Sequence, residues 1–136
     1  MAYILVVDDD PATCRALIGL LRLEAHMVKA ARDGQEALRA LADQRPDVIV
    51  LDMMMPHLDG LALLAAMRAD PALAAVPVVV YTAVDDEMRR QQAVRLQAHA
   101  YVIKGSGWPL LREQIYRALR AFPDADDSAG SRVCSR

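Results

Sequence analysis

The sequence predicts an α/β fold: a five-stranded parallel sheet flanked by five helices. Three observations point there. Five short apolar runs rich in Val and Ile alternate with five segments that read as helices. The clearest runs are apolar at almost every position, as strands buried on both faces are. Junctions such as Asp10-Pro11 and Asp59-Gly60 then supply N-caps for the helices that follow. Right-handed crossovers would leave helices on both faces of the sheet.

Tyr3 to Val7 is the first strand, closed by Asp8-Asp9-Asp10. Asp10 caps the first helix and Pro11 occupies its first position; Cys14, Leu17, Ile18 and Leu21 form its inner stripe. A weaker second strand covers 26–31. Asp33, with Glu36 three residues on, makes a capping box, and Ala37, Leu38 and Leu41 face inward until Gln44-Arg45-Pro46 breaks the helix. The third strand, 47–51, runs into Asp52. Pro56 prevents a regular continuation, and Asp59 opens the third helix, with Leu61, Leu64 and Met67 inward and Asp70-Pro71 at its end. The fourth strand is 77–82. The fourth helix, about 85–96, is polar, and Asp85, Asp86 and Glu87 suit its positive N-terminus. The fifth strand is 100–104. Ser106-Gly107-Trp108-Pro109 then turns into the last helix, whose stripe is Leu111, Ile115, Ala118 and Leu119. Residues 1–122 are expected to form one domain, and 123–136, small and polar, a flexible tail.

At 136 residues and 54% hydrophobic, the chain can bury a full core and is not a disordered segment. A net charge of −2 without a basic run argues against direct nucleic-acid binding. The start has no signal-peptide pattern, and every apolar run falls short of the roughly 20 residues that cross a bilayer. Cys14 and Cys134 do not make a disulfide framework, so a cytoplasmic location is the expectation. His26, His57 and His99 lack metal-ligand spacing and receive no role. Met53-Met54-Met55 is read as loop and core filler.

All strands of a parallel sheet end on one side, where ligands bind in open α/β sheets. Strand one ends in Asp8 and Asp9, strand three in Asp52, strand four in Thr82 and strand five in Lys104. Each has an ordinary explanation taken singly; their coincidence at one edge does not. Three neighbouring carboxylates repel and call for a cation, and hard oxygen ligands with room for water suit Mg²⁺. Lys104 suits a transient phosphoryl oxygen, Thr82 can donate to one, and Asp52 is then a carboxylate nucleophile.

Val6-Val7-Asp8-Asp9, the stretch from Asp52 through Pro56 to Asp59-Gly60, Tyr81-Thr82-Ala83 and Tyr101-Val102-Ile103-Lys104 together resemble the receiver domain of two-component response regulators, over about Ile4 to Leu119. The resemblance implies a flavodoxin-like three-layer α/β/α fold with strand order 2-1-3-4-5. It implies that Asp52 accepts a phosphoryl group from the phosphohistidine of a sensor histidine kinase or a histidine phosphotransfer protein. It makes Asp8, Asp9, Asp52 and the Met54 backbone carbonyl the Mg²⁺ ligands, pairs Lys104 with the phosphoryl group, and makes Thr82 and Tyr101 the switch. The output would pass through the fourth helix, fifth strand and fifth helix, to a protein target, to an output domain missing from this chain, or to a second copy in a homodimer. No other cofactor is implied.

Two positions depart from the family pattern. Gly105 replaces the usual proline after the lysine, which implies a more mobile loop, and Trp108 is expected to cover part of the output face. Val84 is apolar where a polar residue is common, which implies an altered phosphoryl lifetime. The chain is thus expected to be a phosphoacceptor signalling domain rather than an enzyme, catalysing at most its own phosphotransfer and dephosphorylation. Two rival functions are an adaptor that no longer needs phosphorylation and an aspartyl phosphatase of the haloacid-dehalogenase type. The second fails on spacing, since Asp8-Asp9-Asp10-Pro11-Ala12 puts alanine where that class wants Thr or Val.

Overall fold

A computed structural model of the chain describes residues 1–55 and 59–121. The elements run β1 (Tyr3–Val7), α1 (Pro11–Leu23), β2 (Met27–Ala31), α2 (Gly34–Asp43), β3 (Val48–Leu51), α3 (Gly60–Ala69), β4 (Val78–Thr82), α4 (Glu87–Arg95), β5 (Ala100–Ile103) and α5 (Trp108–Ala121). The five strands form one parallel sheet in the order β2-β1-β3-β4-β5. The register sets Val7 beside Ala31 and Leu51, Leu51 beside Val80, and Thr82 beside Ile103. The strand ends are therefore level along one rim. Pro56, named above as a strand breaker, and the tail 123–136 lie outside the described residues.

Alternation splits the core in two. Leu5, Val7, Ile49, Leu51, Val78 and Val80 face α2, α3 and α4. Ile4, Val6, Val48, Val50, Val79 and Val102 face α1 and α5. β1 and β3 are buried at every position, whereas β2, at the edge, buries only Val28 and Ala31. That is why the second strand reads weakly in the sequence.

Several expected boundaries shift by a residue or two, each for a local reason. Asp47 is not in a strand, because its carboxylate accepts the Tyr3 N–H at 2.7 Å. Lys104 lies in the turn after β5. α4 starts after Asp86, not Asp85, because the Asp86 carboxylate accepts the Met88 N–H at 2.9 Å. Leu38 is 45% exposed, contrary to expectation. α2 presents Gly34, Ala37 and Leu41 to the sheet, and Leu38 lies one step round from that line. On α3, Leu63 is fully buried and Leu61 only partly.

α4 is held differently from its neighbours, since Ala93 is its only buried residue. Arg68, in the last turn of α3, donates from Nε to the Leu96 carbonyl (2.8 Å) and from Nη2 to that of Gln97 (3.2 Å). Its Nη1 donates to the Val76 (2.8 Å) and Ala74 (3.2 Å) carbonyls. One guanidinium thus joins the C-terminal ends of α3 and α4 and the segment leading into β4, using carbonyls that a helix end leaves open.

A polar chain crosses the opposite rim of the sheet. The Ala2 N–H donates to His26 Nδ1 at 3.1 Å, so the ring proton is on Nε2, which donates to the Tyr116 hydroxyl at 2.6 Å. Tyr116 donates to Glu24 Oε1 at 2.6 Å, and Arg112 Nε to Glu24 Oε2 at 2.7 Å. The Arg112 guanidinium also lies 4.6 Å above the Tyr116 ring. These contacts pin α5 to the end of α1.

Candidate functional site

At the C-terminal rim, Asp8, Asp9 and Asp52 each bring one carboxylate oxygen within 4.8 Å of the others. Asp8 and Asp52 are 2% and 6% exposed, while Asp9 faces solvent. Lys104 Nζ lies 2.8 Å from Asp8 Oδ2 and 3.6 Å from Asp52 Oδ2. Four residues expected at one edge are therefore in one cluster.

Local structure fixes each. Asp8 continues the β1 ladder through its N–H to the Ala31 carbonyl, and its Oδ1 accepts the Asp10 N–H at 2.9 Å. Asp52 donates its N–H to the Val7 carbonyl, and its Oδ1 accepts the Met54 N–H at 3.3 Å. α3 begins hard against this junction. A β-carbon on Gly60 would lie 2.5 Å from the Asp52 carbonyl oxygen and 2.7 Å from Met53 Cα, so only glycine fits without backbone movement. That Asp-Gly starts a helix was legible; that its glycine lets the helix approach Asp52 was not.

Lys104 is held by its N–H to the Thr82 carbonyl at 2.8 Å. The following turn closes with Ser106 N–H on the Ile103 carbonyl. Gly105 (φ 97°) sits in the left-handed region that favours glycine. The Tyr81 ring lies 5.9 Å from the lysine nitrogen.

Burial pushes the Asp8 carboxyl above the usual carboxylate range; the Asp52 charge adds to this, and Lys104 and the Asp10 N–H oppose it. Burial pulls Lys104 down, but the hydrogen bond it donates to Asp8 and the charges of Asp52, Asp8 and Asp10 outweigh it, and its net shift is upward. Three acids around one lysine leave negative charge uncompensated in a largely desolvated place. All the donors are hard carboxylate oxygens and one carboxylate is open to water, a set that fits a hard divalent cation.

Thr82 is fully buried, and its Oγ1 accepts the Val84 N–H at 3.3 Å. Tyr101 donates its hydroxyl to the Val84 carbonyl at 2.7 Å. The two expected switch residues thus meet through the main chain of Val84, which no sequence pattern signals. Met53 is core filler as expected, but Met54 is 47% exposed beside the cluster. His57 lies outside the described residues. Trp108 belongs to α5, one of the three elements of the expected output face. It opens α5 and lines a groove with Ala12, Thr13, Ala16 and Tyr81, on the α1 side of the sheet.

The response regulator receiver domain family matches over residues 4–116. Response regulator MprA of Mycolicibacterium vanbaalenii is 38% identical over 130 residues, which cover 93% of this chain and 54% of MprA. Response regulator PleD of Caulobacter vibrioides is 40% identical over 134 residues, 98% of this chain and 29% of PleD. The chain therefore spans about half the length of the first relative and under a third of the second. Among solved structures, response regulator protein TrrA of Thermotoga maritima, in complex with Mg(2+)-BeF, superposes with a TM-score of 0.78 at 28% identity, covering 88% of this chain and all of TrrA.

Proposed function

The chain belongs to the response regulator receiver domains of two-component systems, and from that premise we propose that Asp52 is its phosphoacceptor. The observation that carries this is the placement of Lys104 Nζ against both Asp8 and Asp52, with Asp9 in the same cluster. A carboxylate oxygen of Asp52 attacks the phosphorus of a phosphohistidine on a sensor histidine kinase or a histidine phosphotransfer protein. An O–P bond forms, the P–N bond breaks, and the imidazole leaves with the bonding electron pair. Lys104 then pairs with a phosphoryl oxygen, and Thr82 donates its hydroxyl to another.

Asp8, Asp9, Asp52 and the Met54 backbone carbonyl would hold Mg²⁺, the cation of the complex solved for TrrA. Bound there, it would offset the charge of the incoming phosphoryl group. Tyr101 follows Thr82, and the surface of α4, β5 and α5 carries the output to a protein target, an output domain or a second copy. This is a population shift between two packings, driven by what phosphate contacts in one and not the other. The unit of function is 1–122. Among the described residues no helix is long and apolar enough to cross a membrane. A cytoplasmic location belongs to the same proposal. No observation favours the adaptor or the phosphatase.

The test is acetyl phosphate with Mg²⁺, read by intact mass. The wild-type chain gains one phosphoryl group; Asp52→Asn gains none, and omission of Mg²⁺ suppresses the gain. Modification that persists in Asp52→Asn would place the acceptor elsewhere.

A further inference from the structure

We propose that Arg90 is a positioning residue of the switch, holding the Tyr101 ring to the first turns of α4 so that the state of Asp52 is passed to that helix. The inference rests on Asp52 being the phosphoacceptor.

A chain of contacts leads there. Thr82 Oγ1 accepts the Val84 N–H, and Tyr101 caps the Val84 carbonyl. The Arg90 guanidinium carbon lies 4.5 Å from the centroid of the Tyr101 ring. Arg90 Nη2 is 3.0 Å from Asp85 Oδ1, and its Nε is 3.6 Å from Glu87 Oε1. One cation therefore lies over the ring of the switch tyrosine while its nitrogens pair with acids at the start of α4.

The contact matters because little else positions that end of the helix. α4 buries only Ala93, and its C-terminal end is tied to α3 by Arg68. A displacement of the Tyr101 ring therefore moves the N-terminal turns of α4 about a held C-terminal end. When Thr82 turns its hydroxyl to a phosphoryl oxygen, the Val84 N–H loses its acceptor. The 83–85 segment is freed to shift, and Tyr101 and Arg90 shift with it. The ordinary alternative is that Arg90 forms a surface ion pair with no part in the response. The two readings differ in what the tyrosine ring does for the helix, not in what the charges do for stability.

The experiment compares the wild-type full chain with Arg90→Gln and Arg90→Lys, each with and without Mg²⁺ and beryllium fluoride. Amide chemical shifts are read by NMR, and phosphorylation by acetyl phosphate is the control. The proposal expects Asp52 to be modified equally in all three proteins and the amides around Asp52 and Thr82 to respond alike. In Arg90→Gln, the response of amides 87–95 falls by roughly half or more, the scale of coupling between residues in contact. Arg90→Lys restores only part of it, because one ammonium cannot meet the ring and both acids together as the guanidinium does. Adding Tyr101→Leu to Arg90→Gln causes no further loss. An undiminished α4 response in Arg90→Gln overturns the proposal and leaves the phosphoacceptor intact. A wild-type chain that takes no phosphoryl group removes both.

Discussion

At the scale of single residues, position in the sheet decides which side chains matter, and main-chain contacts decide how. Asp8, Asp9, Asp52, Thr82 and Lys104 were legible because parallel strands must all end on one side. The Val84 linkage was not, since both of its bonds use backbone atoms that any residue would offer. Tyr3 shows the same limit from another direction. Its place in a buried strand was readable, and it is 4% exposed. Nothing in the sequence says that its hydroxyl is buried with no hydrogen-bond partner among the described residues. A buried unpaired hydroxyl costs about 1–3 kcal/mol. Tyr3→Phe removes it and keeps the ring, so urea unfolding should show the variant more stable by about 1 kcal/mol. A destabilised variant would mean that the hydroxyl has a partner.

At the scale of elements, the helices divide by how they are attached. α1 and α5 each bury three residues in a regular stripe and were readable from spacing. α4 was readable as a helix from its acidic start, but not in how it is fastened. Periodicity reports apolar faces, and α4 has almost none. Its anchor is Arg68 on another helix, whose partners are carbonyls 6 to 29 positions away. Hydrogen bonds from a charged donor contribute about 1.5–3 kcal/mol, so Arg68→Met should lower stability by about 2–3 kcal/mol. Hydrogen exchange should show the amides at the end of α4 opening first. Arg68→Lys should recover only a fraction, because one ammonium cannot replace a fork that serves two helices and a loop. Wild-type exchange across 93–98 in Arg68→Met would show that α4 is fastened elsewhere.

At the scale of the whole molecule, the number of strands and their common direction followed from alternation of element types. Their order did not, because periodicity carries no information on which strand lies beside which. That order came from family resemblance, and the structure bears it out. The far rim was not legible either: His26 received no role, yet it joins the start of β1 to α5. Burial foremost, then the Met1 amine, pulls its pKa below the ordinary value; Glu24 opposes and Arg112 adds to the depression. A histidine protonated at Nδ1 also sets a donor against the Ala2 N–H. With the folded pKa depressed, the unfolded chain binds more protons once pH drops through about 6.5, so stability falls there and levels off below the folded pKa. Thermal unfolding between pH 8 and 5, a window spanning about 6.5 on both sides, should show a smaller acid loss in His26→Gln than in wild type. Identical slopes would assign that loss to other groups. His26 stands level with the start of β1 and Asp8 just past its end, and five residues of strand at about 3.3 Å each put roughly 15–20 Å between them. Screening in physiological salt acts over about 8 Å. Even without such screening, a unit charge at that distance is worth only about 1 kcal/mol at an effective dielectric of about 20, so a stronger link between acidity and signal must travel as movement of α5.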